Sequence, residues 1–453
     1  KISVILGAPG SGKSSLFKKY FEENQSTTKN LKVKEFIRLA VNINEDIKIL
    51  LLDGLDEYRV VTRDKTFVLS ELGHKLNGLL ESHKDLKIVI SCREMDWYGE
   101  SDKNALKDQI NFEAVLFNIL PLNIEQQKEL GNLLQIENQE EFLDKFYEKG
   151  FLDNPQMFWM LSEIWKNNRD NISSKINLYK QFILKTRENN LEHQQVIESI
   201  EPDQLLKVAG YMAFYYIFCA IDEYNEELVD QIVKAENGFS KELILNVLKT
   251  RIFSEQQFIH RTIAEFALAN YISNYKLATD IDKGRIKSLF IKNNRIPTEL
   301  RGTYAWLCSI NGDLDLINVD PYYQAIHGDN SLFSFEVKSH IIEAVREYSK
   351  SNPYFFEFTQ KMELEGFYVK ELDDLLIREY DNAFELKNHY VYFLNNIIVQ
   401  SENPSDQIVT FTKRLLEENN INLIFEEGDL ELLKNHTVDF ISLSYYSSRL
   451  TTA

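Results

Sequence analysis

The chain has 453 residues, of which 44% are hydrophobic and 12% aromatic. This composition excludes general disorder, and the length is enough for about three or four domains with a substantial core. The formal net charge of −19 excludes a scaffold that binds nucleic acid non-specifically, because neutralising phosphates requires clustered Lys and Arg.

The first motif is a glycine-rich loop, GAPGSGKS, which fits G-x-x-x-x-G-K-[ST] at every fixed position. The apolar run Ile2 to Leu6 predicts the strand before it, and Ser14 to Glu22 the helix after it. Backbone N–H groups of such a loop surround phosphate oxygens, and the helix N-terminus attracts the anion. Lys13 is expected to reach the β- and γ-phosphates, and the Ser14 hydroxyl to bind Mg²⁺. The predicted nucleotide-binding residues of the loop are Gly7, Ala8, Pro9, Gly10, Ser11, Gly12, Lys13, Ser14 and Ser15.

A second strand is predicted from Ile47 to Leu52, because a mostly aliphatic run is typical of a parallel strand buried on both faces. It runs into the acidic sequence DGLDE. Asp53 is placed to bind Mg²⁺ through water, and Glu57 to orient or deprotonate the attacking water. Asp56 is the third predicted catalytic carboxylate. Alone, such a cluster is more typical of a solvated turn, but the complete P-loop before it favours catalysis.

A third strand is predicted from Leu86 to Arg93, ending in SCR. Ligands of open α/β sheets lie beyond the carboxyl ends of the strands, so Arg93 is a candidate to contact the γ-phosphate. The alternative is an arginine that only forms a salt bridge in a loop. A further strand is predicted within Phe112 to Ile119.

The segment between Lys13 and Asp53 predicts only one helix, which is followed by the run Val33 to Val41. A doubly wound nucleotide domain normally has another strand and helix there. Either the domain is reduced, or residues are missing, for which the polar junction Asn24 to Thr28 is the expected place. Because the chain begins one residue before the first strand, we expect it to be part of a longer protein.

Beyond residue 120 the apolar spacing predicts helices. The clearest of the next helices are Ile124 to Leu134, Gln139 to Lys149 and Gln156 to Trp165. The longest uncharged apolar run, Val208 to Ile221, is too short to cross a bilayer and predicts a buried helix.

The three cysteines, Cys92, Cys219 and Cys308, form no C-x-x-C pair, so no zinc site, no disulfide framework and a reducing cytoplasm are expected.

From Lys276 onward the pattern predicts a series of helices, including Glu336 to Tyr348, Val369 to Tyr380 and Tyr390 to Ile398. Their spacing is compatible with HEAT-like pairs, although no strict period is present. Trp306, Tyr322 and Tyr323 are interpreted as core aromatics rather than as an exposed ligand-binding patch.

The three nucleotide-domain segments, GAPGSGKS, DGLDE and SCR, resemble those of the NACHT clade of STAND ATPases, signalling relatives of the AAA+ proteins. Three later segments also resemble this family. Asn154-Pro155 precedes a helix where the family places a proline against adenine. LYKQF, from Leu178, is similar to the family's LYxxF. FIHRTIAEFALA, from Phe258, is similar to the FxHxxxxEFxAA signature of its winged-helix domain.

This resemblance covers residues 1–275 and implies additional site residues. Pro155 would contact the adenine, and His260 would contact the β-phosphate of ADP and stabilise a closed state. A histidine on an apolar helix face is usually a core residue, but the surrounding signature favours the phosphate contact, which an imidazole makes and breaks easily near neutral pH. Glu265 and Phe266 are interpreted as packing and helix-surface residues.

The expected architecture is an α/β P-loop domain with a parallel sheet, followed by three largely helical parts. The predicted domains are a P-loop NTPase domain at 1–120, a small helical domain at 121–173, a winged-helix domain at 174–275 and a helical, HEAT-like region at 276–453.

The predicted function is a switch operated by ATP and ADP with Mg²⁺. A trigger at a C-terminal sensor would let ATP replace ADP and promote self-assembly, and slow hydrolysis would reset the switch. The resemblance implies a role in antiviral defence or related signalling, with an effector domain outside this chain. Neither a membrane nor nucleic acid is expected as a direct partner.

Two other classes remain open. A continuously hydrolysing remodelling ATPase or translocase would need an arginine finger acting between subunits, for which there is no clear candidate. A helical-repeat scaffold with a structural nucleotide would bind ADP tightly without hydrolysis. The motifs do not distinguish ATP from GTP.

Overall fold

The structure is a computed structural model. It describes residues 2–39, 43–61, 65–93, 97, 99–110, 114–147, 151–167, 172–185, 200–221, 223–235, 238–250, 252–254, 256–276, 280–292, 295–351, 364, 366–386, 390–399 and 405–418. The chain divides into two compact units, one of residues 1–292 with 296–307 and the other of residues 293–295 with 308–453. The finer domain boundaries given above stay predictions.

A five-stranded parallel sheet forms the centre of the first unit. Its strands are β1 (Ile2–Gly7), β2 (Thr28–Lys32), β3 (Ile49–Asp53), β4 (Lys87–Arg93) and β5 (Ala114–Asn118). They lie in the order β2-β3-β4-β1-β5, and every pair is parallel. The α/β class and the strands predicted around residues 2–6, 47–52, 86–93 and 112–119 are therefore confirmed.

Five helices connect these strands. They are α1 (Lys13–Glu23), α2 (Val33–Arg38), α3 (Leu55–Val61), α4 (Lys65–Ser82) and α5 (Glu100–Ile110). The fully buried aliphatic side chains of the central strands include Val4, Leu50, Leu52, Ile88 and Ile90, which are register partners on one face of the sheet. Leu51, on the other face, is also buried, as expected for a parallel strand covered on both sides. All strands point the same way, so β3 and β4 carry Asp53 and Arg93, and β1 carries the glycine-rich loop, to one edge of the sheet.

The strand and helix that the sequence did not predict are β2 and α2. A turn in which Thr27 N donates to Asn24 O (3.1 Å) leads from α1 directly into β2. The pattern analysis missed this strand because its sequence, TKNLK, has no apolar run. Since β2 lies at the edge of the sheet, it can be polar and still pair with β3. In the described residues the nucleotide domain is thus short between Lys13 and Asp53, but it contains the expected strand–helix pair.

The rest of the first unit is mainly helical. Its further helices are α6 (Ile124–Leu133), α7 (Gln139–Tyr147), α8 (Pro155–Asn167), α9 (Lys175–Lys185), α10 (Pro202–Phe218), α11 (Glu226–Ala235), α12 (Lys241–Leu248), α13 (Arg261–Tyr275) and α14 (Asp280–Phe290). A short hairpin of β6 (Phe253–Ser254) and β7 (Gln257–Phe258) precedes α13. Residues 186–199, within the predicted winged-helix domain, and the end of the predicted helix Gln139 to Lys149 lie outside the described residues. The winged-helix assignment stays a prediction.

Helices α10 and α13 pack closely at Gly210. A Cβ atom built on Gly210 would collide with Tyr271 Cβ and lie 2.6 Å from the backbone oxygen of Ala267. Helix α13 is buried on all sides from Thr262 to Ile272, so it cannot move outward without losing other contacts. The close approach of the two helices therefore requires a residue without a side chain.

We expect Gly210→Ala to lower the free energy of unfolding by about 1–2 kcal/mol. A helical Gly→Ala change normally stabilises by up to ~1 kcal/mol, but overpacking at a closed helix contact costs ~1–3 kcal/mol. Urea unfolding measures the difference. Gly284→Ala is the matched control, because Gly284 lies in α14 with no atom near the added methyl group, and we expect it to be neutral or stabilising. A more stable Gly210→Ala variant would contradict the packing argument.

The second unit, in its described residues, is helical. Helix α15 (Arg301–Asn311) contributes residues to both units, and α16 (Leu314–Ile317), α17 (Pro321–His327), α18 (Phe335–Ser351), α19 (Asp373–Leu386), α20 (Tyr390–Val399) and α21 (Asp406–Glu418) follow. The predicted helix Val369 to Tyr380 begins later than expected, because residues 370–372 form a 3₁₀ turn. Trp306, Tyr322 and Tyr323 are buried, as predicted. The HEAT-like assignment stays a prediction.

One buried ion pair stabilises the second unit. The Glu379 carboxylate is completely buried and accepts hydrogen bonds from Arg346 (2.7 Å) and from the Tyr390 hydroxyl (3.2 Å).

Across the whole described part of the chain, no helix combines the length and apolarity that crossing a membrane requires.

Candidate nucleotide site

The glycine-rich loop connects β1 to α1, as the motif predicts. Gly10 and Gly12 have φ values of 78° and 90°, in the left-handed region that favours glycine. Gly12 is also the residue that precedes helix α1, so backbone N–H groups of the first helical turn face the loop. Ser11 N donates to Ala8 O (3.2 Å) and closes the turn. This is the backbone conformation that binds phosphate oxygens.

The Lys13 ammonium group lies inside this loop. Its Nζ donates to Gly7 O (2.7 Å) and Ala8 O (2.9 Å) and approaches Ser11 Oγ (3.4 Å). Burial lowers the pKa of Lys13, although the negative charge of Asp56 opposes this shift. The ammonium group therefore lies in the concave side of the loop, where its hydrogen bonds to carbonyl oxygens can be exchanged for hydrogen bonds to phosphate.

Asp53 stands at the carboxyl end of β3, next to the loop. Its Oδ1 accepts from Ser91 Oγ (2.5 Å), and its Oδ2 accepts from Lys32 Nζ (2.9 Å). Burial would raise the pKa of Asp53, but the Lys32 charge and hydrogen bonds from Ser91, Lys32 and Ser14 outweigh it and lower the pKa. The carboxylate is therefore ionised at neutral pH. Ser14 and Asp53 line the same cleft, and a hydroxyl and a carboxylate are oxygen ligands that fit Mg²⁺.

The other predicted catalytic residues lie at the start of α3 and the end of β4. Arg93 Nε donates to Asp56 Oδ2 (3.1 Å), and Arg93 N donates to Asp56 Oδ1 (3.2 Å). Asp56 is thus held in an ion pair and orients Arg93, which does not favour a role as a general base. Glu57 belongs to α3, but its side chain lies outside the described residues, so its role as base stays a prediction.

The N-terminus of α8 contacts the phosphate loop. Pro155 is the first residue of this helix, and Asn154 caps it by accepting from the backbone N–H groups of Gln156 (3.0 Å) and Met157 (3.2 Å). Asn154 Nδ2 also donates to Pro9 O (2.9 Å), and Gln156 N donates to Gly10 O (3.2 Å). These bonds fix the distance between the helix and the loop.

His260 is not on a helix face, as the sequence pattern suggested, but is the extended residue immediately before α13. Its side chain is exposed, and its ring makes an edge contact with Trp159, with 6.3 Å between the ring centres. Desolvation by the surrounding protein atoms lowers the pKa of His260 from 6.5, so the imidazole is neutral at pH 7 without a ligand. A neutral imidazole can donate one hydrogen bond to a phosphate oxygen.

A cleft of about 1320 Å³ joins these residues within the first unit. It is large enough for a nucleoside triphosphate, since ligand pockets typically measure ~300–1,000 Å³. Of the residues predicted from sequence, those lining the cleft are Pro9, Gly10, Ser11, Gly12, Lys13, Ser14, Ser15, Asp53, Asp56, Arg93, Pro155 and His260. Gly7 and Ala8 are in the same loop and present their carbonyl groups to Lys13.

Sequence analysis missed four residues of this region. Lys32 binds Asp53, and Gln156 exchanges hydrogen bonds with Thr262 at the start of α13 (2.8 and 3.1 Å). Glu265, interpreted as a packing residue, is buried and lies 3.5 Å from Arg93 and 2.8 Å from Arg261. No local motif marks Lys32 or Gln156, because each acts on a partner that is distant in sequence. Thr262 and Glu265 lie within the segment FIHRTIAEFALA, but their partners Gln156 and Arg93 are also distant in sequence.

The chain matches no known family model. A curated relative, the aryl-phospho-beta-D-glucosidase BglH of Bacillus subtilis (strain 168), is 60% identical over 38 residues, a match that spans 8% of this chain and 8% of that protein. A match of this length carries no conclusion about the whole chain.

Two solved structures are similar in part. The Walker-type ATPase of Pyrococcus abyssi is 12% identical with a TM-score of 0.26, and the match covers 59% of this chain and 90% of that one. The RuvB Holliday junction branch migration motor of Thermotoga maritima is 12% identical with a TM-score of 0.25, covering 55% and 78%. Both structures are of Walker-type or related motor proteins, but at such low TM-scores they carry no functional weight here.

Proposed function

We propose that this chain is a P-loop ATPase that binds ATP or ADP with Mg²⁺ and acts as a nucleotide-operated assembly switch. The observation that supports this most is the shared cleft: the phosphate loop, the Ser14–Asp53 pair, Arg93 and His260 all line it. These groups come from four separate parts of the chain, and together they can bind a phosphate chain and a divalent cation.

In this proposal Lys13 and the loop N–H groups bind the β- and γ-phosphates, while Ser14 and Asp53 hold Mg²⁺. Bound Mg²⁺ would neutralise charge that develops on the phosphate oxygens. Arg93, oriented by Asp56, stabilises the same charge from the side of β4. Glu57 orients the attacking water. Hydrolysis is slow in this proposal, and its role is to reset the switch.

The switching part of the proposal depends on the contacts of α13. Gln156 donates from its backbone N–H to the phosphate loop and hydrogen-bonds to Thr262 through its side chain. A single residue therefore connects the loop to the start of α13. His260 precedes that helix directly. A ligand shifts the equilibrium between two positions of α13 only as far as its binding free energies for the two positions differ. Raising the population of one position from ~1% to ~99% requires a difference of ~5.5 kcal/mol.

The resemblance to NACHT-clade STAND ATPases supplies the biological part of the proposal. It includes a role in antiviral defence or related signalling in the cytoplasm. It also includes a winged-helix domain around α13, a trigger that binds a C-terminal sensor, an effector domain outside this chain and self-assembly on activation. This role is an analogy between motifs and is the part that most needs a direct experiment.

The test is the nucleotide content and mass of the purified protein, with His260→Ala beside the wild type. We expect the wild type to be a monomer with co-purified ADP. We expect His260→Ala to bind ADP roughly 10- to 100-fold more weakly, because it loses one hydrogen bond to a charged group, ~1.5–3 kcal/mol, and to assemble more readily. Calorimetry with ADP, ATP and GTP measures affinity, and light scattering measures mass.

His340→Ala is the control, since His340 is exposed in the second unit and hydrogen-bonds to Asn318 (2.8 Å). We expect it to behave as the wild type does. A nucleotide-free protein that hydrolyses ATP rapidly and does not respond to His260→Ala would instead support a motor. A protein that binds neither ADP nor ATP would contradict the proposed function altogether.

A further inference from the structure

Lys32 lies beside the metal-binding side of Asp53 because of the register of the sheet. In the parallel pair of β2 and β3, Lys32 is the partner of Asp53 and Leu31 is the partner of Leu52. A slip of one residue would put a leucine beside the carboxylate. Lys32 is also the residue that precedes α2, so its backbone is fixed at the end of a strand and at the start of a helix.

The ammonium group of Lys32 binds the carboxylate oxygen that Ser91 leaves open. Ser91 Oγ donates to Oδ1 (2.5 Å), and Lys32 Nζ donates to Oδ2 (2.9 Å). Asp53 is almost completely buried, with 8% of its side chain exposed, whereas Lys32 is 47% exposed and lines the cleft. A buried carboxylate needs a counter-charge, and Lys32 supplies it. Lys32 and Ser14 line the same cleft.

We propose that Lys32 is a tethered counter-cation that binds Asp53 as long as no divalent cation does and is released from it when one binds. This inference rests on the proposed function for the place of the metal ion. A divalent cation with oxygen ligands and the ammonium group compete for the same carboxylate oxygen, since both are cations and Oδ1 is already bonded to Ser91. Nucleotide loading therefore starts with an exchange of cations at Asp53.

The exchange has a consequence for the mouth of the cleft. Lys32 is long and half exposed, so its ammonium group can leave Asp53 without unfolding the strand. The released charge stays in the cleft, which Lys34 and Arg38 of α2 also line. The release therefore leaves three cationic side chains of β2 and α2 along the cleft, available to an anionic ligand.

The experiment is a titration with Mn²⁺, followed by electron paramagnetic resonance, for the full chain without nucleotide and with ADP. We expect Lys32→Met to tighten Mn²⁺ binding about five- to ten-fold, because it removes a charged competitor whose hydrogen bond is partly exposed to solvent. Lys32→Arg keeps a competing cation and should stay near the wild type. Lys34→Met is the matched control, since it removes the same charge from the same cleft.

A second readout uses the wild type alone, so that it does not depend on the folding of a variant. The rate at which acetic anhydride modifies Lys32, measured by peptide mass spectrometry relative to Lys34, should rise when Mn²⁺ is added. Equal Mn²⁺ affinities of Lys32→Met and the wild type, or an unchanged labelling ratio, would overturn the exchange. Weaker Mn²⁺ binding in Lys32→Met would overturn it too, because Lys32 would then assist the metal ion.

The two proposals fail in different ways. If the wild type binds no ADP, the proposed function is wrong, and the titration without nucleotide still decides whether Lys32 and Mn²⁺ compete. If ADP binds while Mn²⁺ affinity is insensitive to Lys32, the nucleotide site stands, and Lys32 serves only to neutralise a buried carboxylate.

Discussion

Replacing Lys13 by alanine is expected to weaken the binding of ATP and ADP roughly 100-fold or more. Lys13 Nζ lies inside the loop at 2.7 and 2.9 Å from two carbonyl oxygens, which is where a bound phosphate would replace them. Each hydrogen bond between charged groups contributes ~1.5–3 kcal/mol, and two such bonds correspond to at least a 100-fold change in affinity. Isothermal titration calorimetry measures the loss directly.

Two controls separate binding from folding in this experiment. Lys18→Ala changes an exposed lysine of the same helix and should bind nucleotide as the wild type does. Thermal unfolding without nucleotide should show that Lys13→Ala is still folded, since Lys13 lines the cleft and is not part of the hydrophobic core of the sheet. ATP binding within about three-fold of the wild type would mean that the loop does not bind phosphate through Lys13.

The second large effect is expected at Glu265. This carboxylate is 3% exposed and lies between two arginines, Arg93 at 3.5 Å and Arg261 at 2.8 Å. Burial, the largest influence, and the charge of Arg93 would lower the pKa of Arg261, but the charge and hydrogen bond of Glu265, together with Tyr216, outweigh them and raise it. Glu265 thus lies between two guanidinium groups, one from β4 and one from the start of α13, and shares the compensation of Arg93 with Asp56.

We expect Glu265→Gln to lower the free energy of unfolding of the first unit by about 3 kcal/mol, because breaking a buried ion pair from one side leaves an uncompensated charge. The side chain keeps its size, so the loss reports on charge and not on a cavity. Urea unfolding, followed by the fluorescence of the tryptophans, measures it.

Glu226→Gln is the comparison for this prediction. Glu226 is 80% exposed and lies 3.3 Å from Lys241, and exposed pairs of this kind contribute ~0–1 kcal/mol. If Glu265→Gln were as mild as Glu226→Gln, Glu265 would be an ordinary packing residue, as its sequence context suggested. A large loss would instead show that the buried charge of Glu265 stabilises the first unit.

The predictions from sequence were accurate where a structure depends on adjacent residues. The phosphate loop needs left-handed glycines at fixed places, and Gly10 and Gly12 have that conformation. The aliphatic run before Asp53 needs burial on both faces, and β3 is buried. The pattern analysis failed at β2, whose polar sequence pairs at the edge of the sheet. It also placed His260 on a helix face, because a periodic apolar pattern does not show which residue begins the helix.

Short-range sequence features are enough to predict a phosphate loop on a parallel sheet followed by helices, because backbone conformation and burial there depend on neighbouring residues. Which side chains meet around the loop could not be predicted in this way and became visible in the folded chain. Lys32 reaches Asp53 across 21 residues, and Gln156 reaches Thr262 across 106. Those pairs depend on strand register and on helix packing, which arise from the sum of many weak contacts over the whole unit and leave no local pattern in the sequence.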